Sequence, residues 1–252
     1  MSADISFLIL GLAAILFGGM LKGVTGAGGP LVAIPLLASL YSIPVALAVM
    51  IVPGIVSNIW QMRVSRQARE GRSALWRMLV GCAIGVVFGT MLLGILPDTW
   101  LLLLLAIIIL AYLVLRLARP ALELPGAIAK RWALPVGLVT GFIQGAAGMS
   151  APVGVTFITA QRLPRDSQVF VLSAVFLVLT GFQSVSLTAV GLMSWQLLAT
   201  SIAALVPMLA GIVIGQKLAR LYGQHFFDRL TEAVLLGTAV SLIARAIPQI
   251  AS

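Results

Sequence analysis

Charge is scarce in this sequence: 9% of its 252 residues are Asp, Glu, Lys or Arg and 61% are hydrophobic, where a soluble domain carries roughly 25% charged residues. No water-soluble fold of this size needs so much apolar surface. Cysteine is nearly absent too. The single Cys82 lies inside the apolar run from Trp76 to Leu96, where it can neither close an internal disulfide nor build a metal site, and it reads as packing. The one histidine, His225, precedes the last apolar run, and Asp98, Glu123, Asp166, Asp228 and Glu232 fall near run ends or in loops. There is no Ser/His/Asp set, no metal-ligand spacing and no phosphate loop, so the chain is read as a non-enzyme without cofactor or metal. The 16 basic residues outnumber the 7 acidic ones for a net charge of +9. They are dispersed and make no basic face, which excludes nucleic acid as a partner and assigns them to topology and anionic headgroups.

What is present is a series of apolar runs. Between breakers they predict spans near 5–24, 44–62, 74–96, 99–117, 132–149, 166–190, 195–217 and 226–247, each close to the roughly 20 residues that one helical crossing needs. Asp4 stands before the first run, Phe7 to Phe17, where a signal peptide has positive charge, so this run is read as a retained membrane helix. Two pieces, 30–40 and 152–161, are too short to cross and have the length of re-entrant or broken helices.

The chain also repeats itself. Gly19-x-x-x-Gly23-x-x-Gly26-x-x-x-Pro30 matches Gly141-x-x-x-Gly145-x-x-Gly148-x-x-x-Pro152 without a gap, and the same offset lays Asn58-Ile59-Trp60-Gln61 on Thr180-Gly181-Phe182-Gln183. Trp76 matches Trp195, and Gly85-x-x-x-Gly89 matches Gly211-x-x-x-Gly215, after small insertions. The expected architecture is an all-α integral membrane protein, one domain over 1–252, with repeats over 5–120 and 132–248. Positive charge orients them. Arg63, Arg66, Arg69, Arg72 and Arg77 mark one cytoplasmic loop, Arg116, Arg119, Lys130 and Arg131 a second, Lys217, Arg220 and Arg229 a third, and Arg162 with Arg165 a fourth. If 152–161 returns to the side from which 132–149 left, the halves are inverted, both termini lie outside, and 14 of the 16 cations are cytoplasmic, all but Lys22 and Arg245. The rival is eight full crossings in parallel repeats, which leaves Arg162 and Arg165 on an outer loop.

The matched Gly/Pro breaks, Gly23 to Pro30 and Gly145 to Pro152, are the sequence pointer to a transporter binding site. Glycine lets the chain unwind, proline suits the first turn of the short helix that follows, and two such N-termini facing each other make an anion site from unpaired N–H groups and helix dipoles. The candidate substrate-binding set is therefore Lys22, Gly23, Thr25, Gly26, Gly28, Gly29, Asn58 and Gln61 in the first half, with Gln144, Gly145, Gly148, Ser150, Thr180 and Gln183 in the second. Two roles fit Lys22: counter-charge to an anion, or a snorkelling cation at the end of the first span. Trp60 and Phe182 occupy matching positions, as cavity walls or as packing between helices. Gly85, Gly89, Gly211 and Gly215 read as close helix packing.

The segments Gly19 to Pro35 and Gly137 to Pro152, with their following spans, resemble the TauE/SafE family of sulfite and organosulfur-compound exporters over nearly the whole chain. Gly26-Ala27-Gly28-Gly29 followed by Pro35 is similar to the family pattern. The second half departs from it, with Gly148-Met149-Ser150-Ala151 in place of the glycine cluster and Phe157 where Pro35 stands. The resemblance implies a multi-pass bacterial inner-membrane protein of about eight helices that moves sulfite, sulfoacetate or a related organosulfonate. Together with the repeat it implies alternating access about a central site, in the direction of export. A small anion and membrane lipids are the expected partners, and a homo-oligomer is left open. An anion channel or a carriage of small carboxylates is the alternative, although neither rings of charge nor a repeated filter sequence is visible.

Overall fold

The computed structural model describes residues 2–26, 29–67, 72–118 and 123–251. Ala27, Gly28, Arg69 and Arg119 therefore lie outside the described residues. All regular structure among the described residues is helical: α1 Ser2–Thr25, α2 Gly29–Leu40, α3 Ile43–Val49, α4 Ile51–Val64, α5 Arg72–Ile95, α6 Asp98–Ala118 and α7 Gly126–Ala147. A π-helical turn, Ala151–Val155, then runs into α8 Thr156–Thr159, and α9 Arg165–Ala189 and α10 Trp195–Ala251 complete the chain.

Among the described residues, six helices are long and apolar enough to cross a membrane: Ser6–Thr25, Ala74–Ile95, Asp98–Ala118, Arg165–Ala189, Trp195–Gly223 and His225–Pro248. The last two are arms of α10, separated at Gly223, whose φ of 72° and ψ of 167° are not helical. The expected span over 44–62 is instead two helices meeting at 42°, and counts as a seventh only if the bent pair is one crossing. Its cause is Pro53, which has no N–H to offer the carbonyl of Val49. Ser201 takes over that bond: its Oγ donates to Val49 O at 2.9 Å and accepts from Val52 N–H at 2.9 Å, the usual repair of a broken helix inside a bundle. The expected span over 132–149 forms as the 22-residue α7. It does not join the others on composition, since Lys130 and Arg131 fill its first turns and Gln144 its last.

Two glycine seams hold the bundle together. A Cβ on Gly19 or Gly23 of α1 would stand 2.3 Å from Met208 O or Ile212 O of α10, and one on Gly211 or Gly215 would meet Leu16 O at 2.2 Å or Met20 O at 2.1 Å. The second seam is built alike. Gly81, Gly85 and Gly89 of α5 lie against Leu134 O, Leu138 O and Phe142 O at 2.4, 2.1 and 2.1 Å, and Gly137, Gly141 and Gly145 of α7 against Met78 O, Cys82 O and Val86 O at 2.4, 2.3 and 2.4 Å. At such spacing only glycine fits, and lipid gives helices no hydrophobic reason to associate, so close backbone packing supplies the attraction. In each seam the two helices run in the same direction, because contact positions rise together in both.

The short segments turn back. Gly18 of α1 faces Gly29 O and Ala33 of α2, and Tyr41 at the far end donates its hydroxyl to Phe7 O at 2.9 Å, which returns the chain to the starting level of α1. After α7 the chain reverses the same way: Gly154 packs on Thr140, Leu124 N–H donates to Ala160 O at 2.8 Å, and Arg162 pairs with Glu123 at 2.7 Å. The predicted short helix over 152–161 begins as a wider π-turn, in which Thr156 N–H reaches back five residues to Ala151 O, and a Cβ on Gly154 would sit 2.6 Å from Thr140 Cγ2. Arg162 and Arg165 are thereby placed at the end of the bundle where α7 begins, with Arg77, which donates to Lys130 O at 3.3 Å. From there α9 runs away while α4 runs toward it. Gly54 meets Thr180 and Gln61 meets Ser173, so the pair is antiparallel.

Candidate functional site

The site begins at two glycines. Gly26 and Gly148 have φ of 81° and 74°, a left-handed conformation that costs any other residue about 1–2 kcal/mol. Each ends its helix with an N–H bond to the carbonyl four residues back, Gly26 to Lys22 O at 2.8 Å and Gly148 to Gln144 O at 2.7 Å. Gly148 is also wedged, since a Cβ there would lie 2.4 Å from Leu47 Cδ2 and 2.8 Å from Ile34 Cγ2. Glycine at these positions both permits the reversal and lets the halves approach.

Between the two reversals lies a cavity of about 630 Å³, a size in the range of small-molecule sites. Thr25, Pro30 and Leu31 border it from one reversal, and Gln144, Gly148, Ser150 and Ala151 from the other. Leu115, Leu172 and Phe176 supply apolar wall, and Arg116, Arg162 and Asp228 line the end where the cation-bearing loops gather. The start of the 12-residue α2 and the start of the π-turn both abut this space.

Of the candidate residues, Thr25, Gln144, Gly148 and Ser150 border the cavity. The Thr25 hydroxyl donates to Leu21 O at 2.9 Å. Gln144 Nε2 donates to Gln183 Oε1 at 3.2 Å, and Gln183 Nε2 donates to Gln144 O at 3.2 Å, so Gln183 braces the last turn of α7 from behind. Lys22 does not reach the cavity. It is 1% exposed, its Nζ donates to Asn58 Oδ1 at 2.6 Å, and it is not among the residues that line the cavity. Asn58 Nδ2 and Gln144 Oε1 are buried with no hydrogen-bond partner. Gln61 Oε1 accepts from Ser173 Oγ at 3.2 Å, and Thr180 donates to Phe176 O at 2.7 Å against Gly54; both serve the contact of α4 with α9. Gly23 and Gly145 belong to the seams, and Gly29 opens α2 against Met208 and Lys22. Gly28 is outside the described residues. Trp60 and Phe182 are 41% and 46% exposed and do not line this cavity.

A family model described as sulfite exporter TauE/SafE matches residues 11–242. The chain belongs to the TauE/SafE family. No curated protein and no solved structure matches it significantly. The match to TauE/SafE takes in both reversals, both seams and every residue that borders the cavity. TauE/SafE members are membrane transporters and not enzymes, which agrees with a chain of several apolar crossings.

One cluster escaped the sequence. Arg116 of α6 donates through Nε to Glu232 Oε1 at 2.8 Å and through Nη1 to Tyr112 Oη at 2.8 Å, and its Nη2 lies 2.5 Å from Asp228 Oδ1. Arg116, Tyr112, Asp228 and Thr231 all line the cavity. The signal available was spacing: Tyr112 and Arg116, like Asp228 and Glu232, stand four apart on one helical face. Nothing in the chain links 116 to 228 until it folds.

Proposed function

We propose that this TauE/SafE protein is a secondary transporter of the bacterial inner membrane that exports a small anion, sulfite or an organosulfonate such as sulfoacetate, by alternating access. The observation that carries the reading is the cavity between two matched reversals, bordered by the starts of α2 and the π-turn together with Thr25, Gln144 and Ser150. Helix starts aim unpaired N–H groups and the positive end of the dipole at a ligand, which binds an anion without a cationic side chain in the membrane core. Lys22 adds positive charge one residue from Leu21, a cavity-lining residue, so its role is long-range attraction and not contact.

The same reading takes 5–120 and 132–248 as inverted repeats whose reversals are re-entrant hairpins. Three features support it: the left-handed glycines Gly26 and Gly148 at equivalent positions, seams in which each first helix packs on the other half's Gly-x-x-x-Gly helix, and the antiparallel crossing of α4 and α9. The positive-inside rule then turns the cavity mouth, with Arg116 and Arg162, to the cytoplasm. From that side the membrane potential favours outward movement of an anion by about 2.3 kcal/mol per charge per 100 mV.

Radiolabelled sulfite, sulfoacetate and acetate flux into proteoliposomes tests the proposal. Saturable sulfur-oxyanion flux, reduced at least tenfold by Gly148→Ala or Ser150→Ala, is the expected result. Saturable acetate flux alone would move the substrate to carboxylates, and flux without saturation would make the protein a channel.

A further inference from the structure

We infer that Arg116 is a second anion subsite, at the cavity mouth, where an arriving oxyanion exchanges with Asp228 for one edge of the guanidinium. The inference rests on the anion-transport reading above. A guanidinium offers its N–H groups in a planar fork that matches two oxygens of a carboxylate or sulfonate. Here the fork is divided. Nε is held by Glu232 and Nη1 by the hydroxyl of Tyr112, which fixes the plane of the group, while Nη2 faces Asp228.

Arg116 and Asp228 line the cavity with side-chain exposures of 25% and 27%, so a solute in the cavity reaches both. The pair is part-buried, and an anion of the same charge entering from the cavity can take over the place of its carboxylate without leaving the guanidinium unpaired. Arg162, the other cation that lines the cavity, is 62% exposed and engaged with Glu123, and no second hydrogen-bonding group among the described residues orients it as Tyr112 orients Arg116.

The exchange has a mechanical consequence. Asp228 and Glu232 sit on the second arm of α10, just beyond the non-helical Gly223, around which a Cβ would find open space within 4 Å. At the other end of that arm Arg245 donates to the carbonyls of Ala38 and Ser39, where α2 finishes. The arm is thus tied to the cavity mouth by Arg116 and to the α2 hairpin by Arg245. Freeing Asp228 loosens the first tie and leaves the second, so anion arrival is coupled to the element whose start borders the cavity.

Concentration dependence of sulfite and ethanesulfonate flux in proteoliposomes, with substrate presented at the mouth side, tests this. Asp228→Asn removes the competing charge and is expected to lower KM roughly threefold to tenfold, while Arg116→Gln raises it about tenfold. The charge swap Arg116→Glu with Asp228→Arg keeps an ion pair between α6 and α10 but moves the cation, and is expected to keep the high KM. A swap that restores the wild-type KM, or an Asp228→Asn variant with unchanged KM, would reduce Arg116 to a structural clasp and overturn the inference. Should the swap fail to assemble, the Asp228→Asn shift decides alone. Absence of saturable flux of either anion by the wild type would instead remove the transport reading on which the subsite depends.

Discussion

Lys22 places its side-chain nitrogen inside a helix long and apolar enough to cross a membrane, with Asn58 Oδ1 at 2.6 Å as its partner. A buried charge stripped of its partner is far more costly than a buried pair removed whole. Asn58→Leu is therefore expected to lower stability by about 1–3 kcal/mol, Lys22→Met by less, and the double variant by less than their sum. Thermal unfolding in detergent reads all three, and strict additivity would mean that the two residues are not coupled. Lys22→Met is also expected to weaken anion flux while sparing the fold, since its charge acts on the cavity from behind Leu21 and Thr25. Neither Lys22 nor Asn58 is unusual as a residue type in isolation; 36 positions apart, they become a unit only when α1 lies beside α4.

At the scale of the element, the seams and the bend at Met50 are the points where backbone meets backbone. Gly141→Val would press a side chain into Cys82 O, 2.3 Å from where its Cβ would stand, and is expected to cost at least about 3 kcal/mol or prevent assembly. Gly237 is also helical, but its Cβ would meet nothing within 4 Å. Gly237→Ala should stabilise by roughly 0.5–1 kcal/mol through the entropy of the unfolded chain. Equal effects of the two substitutions in detergent melts would refute the packing account of the seam. Ser201→Ala leaves both Val49 O and Val52 N–H without their partner in α10, and a loss of about 1–3 kcal/mol is expected. The Gly-x-x-x-Gly spacing by itself announces close packing. Which helix each glycine faces is not readable from it, because a small-residue stripe fits any other small-residue stripe.

For the whole molecule, the proposed alternating access takes the cavity and the narrow opposite end as one of two states. Tyr41, Ser42, Asp98 and Arg245 surround only a small hollow of about 50 Å³ at the end away from the arginine loops. In a Cys82→Ser background, Thr25→Cys and Thr156→Cys should react with a membrane-impermeant thiol reagent from the cytoplasmic face, and sulfite or a sulfonate should slow both reactions. Tyr41→Cys, exposed at the other end, should react from the opposite face. Labelling of Thr25→Cys and Tyr41→Cys from the same face would contradict the proposed orientation.

Composition and run length were enough, by themselves, to determine that this chain is a helical membrane protein with two Gly/Pro breaks in its helices. Each depends on local chemistry: apolar length against bilayer thickness, and the φ freedom of glycine at Gly26 and Gly148. Tertiary structure alone decided which polar residues face the cavity. It drew Gly23, Gly145, Gln61 and Thr180 into packing, put Lys22 behind the wall, turned Trp60 and Phe182 outward, and brought Arg116 to Asp228 and Glu232. The physical reason is that a helix presents every side chain to some neighbour, and which neighbour depends on rotations and crossings set by remote segments, which a local pattern does not encode.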